Sequence, residues 1–353
     1  MRILLTGATG VVGTEVVHRL GPHCASPGLT LTRVARRAAD DTLLRWRIGA
    51  EPPPADLAGH WDVIVHSAAT TRWTLGREEA VRANIDPLRA VLALADRGTH
   101  LVHLSTAYVG GVRNPEDLRG AEFEGYRNGY EWSKARCEEV VRAEHPGPLT
   151  VVRPPLIVGR RGSGEISRFS GPYTMLQALV SGLAAVVVGD PGGYAEISPV
   201  DEVAEAVAAA VLAEPPGTPR TEVIAAGPGS LTLDTLLDTI CRTLNDVRRA
   251  AGVPPIERPR IVPGDSWDRF FLPLADRYLS PVQSQAVKLL AMFQSYTSMG
   301  RPFTPTRTVT DPAAVMAAAV RHWATTRPRL ALATPQPWTL IDDSADSAQP
   351  VGV

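Results

Sequence analysis

Apolar residues fall in short runs along the first half of the chain, at 3–5, 29–35, 61–66, 101–104 and 149–152. Between them lie stretches whose apolar positions recur three and four apart, at 14–20, 78–95 and 128–144. Runs of that length read as buried strands, and the intervening periodicity reads as helix. Strands alternating with helices imply right-handed crossovers and a parallel sheet covered on both faces. The expected fold class is therefore α/β, a doubly wound parallel sheet over residues 1–155, with room for later strands to join it.

After Gly159 the pattern loosens into loops punctuated by glycine and proline, with helical spacing near 173–182, 201–213 and 231–250 and again at 282–298 and 312–326. This predicts a smaller substrate-binding lobe with C-terminal helices over 156–328, closing over the carboxyl ends of the strands, where open sheets hold ligands. Residues 255–280 mix proline with Trp267, Phe270, Phe271 and Tyr278, which either pack as core or line an apolar pocket. Pro, Ala, Asp and Ser dominate 329–353, where an extended or disordered tail is expected.

A chain of 353 residues can bury a full core. Its net charge of -1 and pI near 6.7 give no broad basic field, which sets aside nucleic acid and anionic membrane surfaces as partners. The most apolar stretch, 176–189, is short for a bilayer and contains Gly182, so it reads as core and no membrane span is expected. The chain runs from Met1 straight into an apolar strand with no signal-peptide pattern, and a cytoplasmic location is expected. Cys24, Cys137 and Cys241 are odd in number and have no His or Cys at ligand spacing, which reads as a reducing compartment and no metal site.

The first strand ends in Thr6-Gly7-Ala8-Thr9-Gly10-Val11-Val12-Gly13. Glycine at such a strand-to-helix turn tolerates positive φ and lets a pyrophosphate approach the N–H groups of the helix start. Gly7 would make the turn, Gly10 the close approach and Gly13 the helix packing, with Thr9, Val11 and Val12 beside the same cofactor; the alternative is a purely structural turn. The second strand ends in Arg36-Arg37, where an NAD-preferring site usually places a carboxylate on the ribose. Arg36 favours the 2'-phosphate of NADP(H), unless the pair is simply a solvated surface.

Tyr130 and Lys134 lie four apart, on one face of a predicted helix. Tyrosine has a reference pKa near 10, so it needs a neighbouring positive charge to exchange a proton at neutral pH. Lys134 would supply that charge and hold a nicotinamide ribose. A hydroxyl at the end of the 101–104 strand would bind the substrate oxygen, Thr106 as first choice and Ser105 as second. Together these residues point to hydride chemistry on a carbonyl or alcohol. Glu138 would support Lys134 by charge one turn on. His66 reads as a strand-end hydrogen bond as readily as a catalytic group. Arg160-Arg161-Gly162-Ser163-Gly164 either holds the phosphates of a coenzyme A or pantetheine arm or is a solvated loop.

The three elements in this order resemble the extended short-chain dehydrogenase/reductase superfamily over roughly residues 1–205, with a Rossmann-type fold. Val63-Ile64-Val65-His66-Ser67-Ala68-Ala69-Thr70, Trp73, Asn84 and Leu104-Ser105-Thr106-Ala107-Tyr108-Val109 are similar to its thioester-reductase and fatty acyl-CoA reductase branch, which includes the male-sterility proteins. The resemblance implies that Thr106, Tyr130 and Lys134 are catalytic and that NADPH is the reductant. It also implies that Ser67, Ala68 and Ala69 line the cofactor, that Asn84 has a structural or proton-relay role, and that Pro154, in Arg153-Pro154-Pro155-Leu156-Ile157-Val158-Gly159, lies beside the nicotinamide. Pro199-Val200-Asp201-Glu202-Val203-Ala204 resembles the family's substrate-lobe motif, and a homodimer through the Tyr-Lys helix is expected from the family. Two departures stand out. Ile48-Gly49-Ala50-Glu51-Pro52-Pro53-Pro54 replaces the Gly-Asp pair through which many relatives contact adenine, and the link between the second and third strands is short.

The function expected is NADPH-dependent reduction of a carbonyl, an acyl thioester or an aldehyde, with any thioester arriving on coenzyme A or a separate acyl-carrier protein. The alternatives are a ketone or aldehyde reductase of secondary metabolism, an NAD-retaining nucleotide-sugar epimerase or dehydratase, and a non-enzymatic cofactor sensor.

Overall fold

The computed structural model describes residues 1–25, 27–37, 42–109, 123–184, 186–267, 269 and 293–335. Phe270, Phe271, Tyr278, most of the 282–298 stretch and residues 336–353 lie outside the described residues.

The first half of the chain alternates strand and helix. Strands β1 (Arg2–Thr6), β2 (Thr30–Ala35), β3 (Leu43–Arg45), β4 (Val63–His66), β5 (His100–Leu104) and β6 (Leu149–Arg153) are interleaved with α1 (Val11–Cys24), α2 (Arg77–Ala80), α3 (Asp86–Leu92) and α4 (Gly129–Glu144). The short strands β7 (Leu156–Val158), β8 (Val186–Val188), β9 (Tyr194–Ala195) and β10 (Ile197–Pro199) follow, with α5 (Pro172–Ser181) and α6 (Val200–Leu212). Then come β11 (Arg220–Ala225), β12 (Leu231–Thr232), α7 (Leu233–Ala250), β13 (Arg260–Val262) and β14 (Arg307–Thr308). The eight-stranded sheet runs β14-β11-β6-β5-β4-β1-β2-β3 and is parallel throughout. β1 lies between β2 and β4, so the order reverses there and a crevice opens at the carboxyl ends of β1 and β4. The later strands that the sequence left room for are β11 and β14.

Each face of the sheet is buried by its own helices. Ile3, Leu5, Val63 and Val65 pack with Val12, Val16 and Leu20 of α1 and Val203 and Val207 of α6. Leu4, Ile64 and Leu101 pack on the opposite face with Leu88, Val91, Trp132, Cys137 and Val141. The alternation along β1 and β4 thus divides near-continuous apolar strands between two covered faces. This arrangement corrects the placement of 201–213. The helix sits against α1 beneath the sheet, because Val200, Val203, Ala204 and Val207 form an apolar stripe that continues the one on α1. The motif Pro199-Val200-Asp201-Glu202 therefore belongs to the nucleotide-fold layer and not to the second lobe.

Helix 78–95 of the sequence reading is two α-helical pieces, α2 and α3, joined by a π-helical turn at Val81–Ile85. Pro87 follows that turn and has no N–H to continue the ladder, so a widened turn is a natural junction. The second core gathers α5, α7 and the helix Pro312–Thr326 around Leu176, Leu237, Leu244, Phe293, Tyr296, Val320 and Trp323. Among the described residues no helix is long and apolar enough to cross a membrane.

The last described helix, Pro328–Ala331, is docked by Arg248, whose side chain is 1% exposed. Its guanidinium donates to the carbonyls of Pro254 at 2.7 Å, Ala331 at 2.6 Å and Ala333 at 2.9 Å. Arg248→Met should strand these buried acceptors and lower stability by about 2–4 kcal/mol in urea melts, with the loss shared by truncation at residue 327.

Candidate functional site

The glycine turn is tighter than any side chain allows. Gly7 has φ +72°, and a Cβ there would lie 2.7 Å from the backbone N of Ala68, while a Cβ on Gly13 would lie 2.1 Å from the Gly7 carbonyl oxygen. The Gly10 N–H donates to Gly7 O at 2.8 Å and closes the turn. Helix α1 starts at Val11 with Gly10 as a cap that offers no side-chain bond, and its first turn carries no acidic residue. Its first N–H groups and positive dipole end are therefore not neutralised by side chains. Thr9 is exposed, Val11 half-buried and Val12 buried in the sheet-side core.

Ser67, Ala68 and Ala69 follow β4 and lie directly against this turn. Ser67 Oγ donates to the Thr6 carbonyl at 2.9 Å, and the Ala68 backbone is the wall that a Gly7 side chain would strike. Thr70 then exchanges two bonds with Asn84, its N–H donating to Oδ1 at 2.7 Å and its carbonyl accepting from Nδ2 at 3.1 Å. Asn84 Nδ2 also donates to Ser133 Oγ at 2.8 Å. Asn84 lies in the π-helical turn and is 2% exposed. It ties the β4 loop to the helix that carries Tyr130 and Lys134.

That helix, α4, is capped by Asn128, whose Oδ1 accepts from the Glu131 N–H at 3.0 Å. Asn128 Nδ2 donates to the Tyr296 hydroxyl at 2.6 Å. Arg127 pairs with the buried Glu131 carboxylate at 2.8 Å and lies 4.8 Å and 4.1 Å from the ring centres of Tyr108 and Tyr296. Trp73 stacks on Tyr296 at 4.2 Å. Residues of the second core thus grip the N-terminus of α4, one residue from Tyr130.

Thr106 follows the end of β5 and is 3% exposed. Its hydroxyl donates to the carbonyl of Pro154 at 3.3 Å, and it is close enough to the Tyr130 phenol to oppose the rise in that group's pKa. The Pro154 carbonyl also accepts from the Ala107 N–H at 2.9 Å, which fixes the loop after β6 beside Thr106. A bond of 3.3 Å is at the long end of the range, so the Thr106 hydroxyl can turn to another acceptor at small cost. Ser105 is committed elsewhere, donating to Glu138 at 2.6 Å.

Glu138 supports Lys134 by charge from one turn on, while its direct partners lie elsewhere. Its carboxylate takes Arg153 at 2.6 Å and 2.8 Å, Arg142 at 3.4 Å and Ser105, because two guanidinium groups and a hydroxyl converge on it from β6, α4 and β5. The Tyr130 phenol is pushed well above its ordinary value, first by burial and then by the Glu131 carboxylate, against the Thr106 hydroxyl. Lys134 Nζ points to His103 Nε2 at 3.5 Å. Burial lowers the Lys134 pKa, opposed by Cys137 and Glu138.

Arg160 and Arg161 are likewise engaged within the chain. Arg160 pairs with Glu15 of α1 at 2.9 Å and with Glu165 at 3.2 Å, and Arg161 pairs with Glu202 at 2.5 Å while its N–H donates to Asp201 at 2.9 Å. Neither guanidinium is free for a phosphate arm. Arg36 and Arg37 are exposed just past β2, and no ion pair of theirs occurs among the described residues. Gly49, in the segment that departs from the family pattern, packs its backbone on Pro87, and Glu51 pairs with Arg45 at 3.2 Å. His66 bonds Thr6 Oγ1 through Nδ1 at 2.9 Å. Trp267 is buried at 3% exposure, whereas its predicted companions Phe270, Phe271 and Tyr278 lie outside the described residues. His103 went unnoticed in the sequence, although its place one residue before the strand end, opposite a helix lysine, was visible there.

Residues 51–207 match the profile of the family described as "Male sterility protein", an NAD-binding family. Over 182 residues the chain is 26% identical to "Fatty acyl-CoA reductase wat" of Drosophila melanogaster, covering 42% of this chain and 35% of that protein. Over this stretch the chain is therefore similar to male-sterility and acyl-reductase proteins. A second relative, "Isonitrile lipopeptide synthase" of Streptomyces coeruleorubidus, is 30% identical over 254 residues, 62% of this chain and 17% of that one. The chain thus spans well under half the length of these curated relatives. A fold shared with a solved structure extends through nearly all of it. The terminal R domain from the myxalamid PKS-NRPS pathway superposes with a TM-score of 0.64 at 20% identity, covering 95% of this chain and 92% of the domain. The matched family model is an NAD-binding one, and the bare α1 terminus fits a dinucleotide pyrophosphate.

Asn84→Leu should break three buried bonds at once, lowering stability by about 2–3 kcal/mol in urea melts. Asn84→Asp should do nearly as badly, since a carboxylate cannot donate to Thr70 O and Ser133.

Proposed function

We propose that the protein is an NADPH-dependent reductase of carbonyl groups, acting on an acyl thioester or an aldehyde. The observation that carries this reading is the helix with Tyr130 and Lys134 fastened by Asn84 to the loop against the glycine turn, with the Thr106 hydroxyl just past the carboxyl end of β5 acting on the Tyr130 phenol. Bound NADPH supplies the hydride. The α1 N-terminus, bare at Gly10 and Gly13, is suited to its pyrophosphate, and Arg36 to its 2'-phosphate. Ser67, Ala68, Ala69 and Pro154 are the neighbouring backbone it would lie against.

Thr106 and Tyr130 would bind the substrate carbonyl oxygen together, with the Thr106 hydroxyl turning from Pro154 to donate to it. As negative charge develops on that oxygen, the two hydroxyls stabilise it and Tyr130 transfers its proton. Burial keeps the phenol protonated through neutral pH, which suits a proton donor in the reductive direction. A thioester would become a thiohemiacetal and then expel its thiol to leave an aldehyde. Lys134 would supply positive charge near the tyrosinate. The male-sterility match and the acyl-CoA reductase relative support an acyl substrate, and Arg36 in place of a carboxylate supports NADPH.

Tyr130→Phe should lower thioester- or aldehyde-dependent NADPH oxidation by about 100-fold or more while leaving NADPH binding within about threefold. Full activity in this variant would overturn the assignment. Arg36→Ala should weaken NADPH binding by about tenfold and leave NADH binding unchanged in fluorescence titrations, consistent with the loss of one charged phosphate contact.

A further inference from the structure

Lys134 is one of only two lysines in the chain, with Lys288, among 36 lysines and arginines. Everywhere else the chain uses arginine, whose charge is permanent. Lys134 is also buried, at 2% exposure, and no carboxylate lies within ion-pair distance of it among the described residues. A buried ammonium without a counter-ion is costly unless something else holds it.

What holds it is a row of polar side chains crossing the sheet. Thr6, His66 and His103 are direct partners in the parallel register of β1, β4 and β5, so their side chains point to the same face. All three are buried at 1% exposure or less. Thr6 Oγ1 and His66 Nδ1 are 2.9 Å apart, the His66 and His103 rings stack at 5.7 Å with planes 12° apart, and His103 Nε2 faces Lys134 Nζ. His103 Nδ1 is buried with no partner. That arrangement suits an imidazole whose proton sits on Nδ1 and whose Nε2 lone pair is turned to the ammonium.

We propose that His103 is a positioning residue for Lys134, its Nε2 accepting a hydrogen bond from the ammonium and setting the lysine's direction and charge state. The proposal rests on the functional reading above, since it explains how the lysine proposed to act near Tyr130 is kept charged in a dry site. The groups facing Lys134 are His103 from β5, His66 from β4, and Cys137 and Glu138 from its own helix; Arg142 faces His103 from beyond. Both imidazoles are held neutral, His66 pushed down to about 3 and His103 well below its ordinary value, by burial first and by the Lys134 charge second. Neutral His103 can therefore accept. A hydrogen bond to the charged form of lysine raises its pKa, so removing the acceptor lowers it.

Two lysines make the test direct. With 13C-labelled Cε in all lysines, the full chain should give two resonances, and Lys288→Arg identifies the second. In wild type the Lys134 signal should titrate below that of Lys288. His103→Leu should move the Lys134 midpoint about one pH unit lower, and His103→Gln, which keeps an acceptor oxygen, should recover at least half of that shift. The alkaline limb of the reductase rate should move down by the same amount, because the protonated lysine is the competent form. A purely structural His103 would lower the rate without moving either midpoint, and an unmoved Lys134 midpoint in His103→Leu overturns the proposal. If His103→Leu does not fold, urea melts of His103→Gln with and without Lys134→Met decide. A coupling between the two sites supports the pairing, and additive effects reject it. Full activity of Tyr130→Phe would sink the functional reading and leave the titration result standing, so the two failures are separable.

Discussion

The backbone contact between Gly7 and Ala68 is the constraint on which the site depends. At that point the turn after β1 and the loop after β4 meet with no room for a side chain on the first. Because β1 and β4 are neighbours at the reversal of strand order, the contact sets both the depth of the crevice and the height of the loop that Asn84 then ties to α4. From the glycine turn to Tyr130 the chain of fixed contacts runs Gly7, Ala68, Thr70, Asn84, Ser133, without a flexible link. A positional error at any one would be passed on to the phenol, and reactive geometry tolerates little of it.

Charge in this site is managed by commitment. Glu138, Arg153 and Arg142 satisfy one another, as do Glu15 with Arg160 and Glu202 with Arg161. Arg127 and Glu131 neutralise each other under two tyrosine rings. These pairs bind helices to loops, yet their main effect on the chemistry is to leave few ions uncommitted near Tyr130. Lys134 is the exception, a cation whose Nζ faces a neutral imidazole.

The second core also holds the helix that carries Tyr130 and Lys134. Tyr296 and Phe293 reach back to Asn128, Arg127 and Trp73, so the N-terminal cap of α4 is completed by residues more than 160 positions later. The second core and the sheet are therefore coupled through the cap of α4.

Much of the fold and of the site was legible in the sequence for local reasons. Strands β1, β2, β4, β5 and β6 are apolar on both faces because a covered parallel sheet requires it, and the helix at 312–326 follows from its apolar spacing. The glycine spacing and the four-residue step from Tyr130 to Lys134 are likewise local. Strands β3, β11 and β14 were not legible: β3 and β14 are three and two residues long, and β11 is apolar only over Val223, Ile224 and Ala225, so none of them carries a period. Nor was the seat of α6, because an apolar stripe does not say which neighbour will cover it. The partner of each charge was decided by tertiary structure alone: Glu138 meets Arg153 and not Lys134, and Lys134 meets His103. Side-chain pairing across a sheet depends on register between strands distant in sequence, which brings Thr6, His66 and His103 into one row although nothing local connects them.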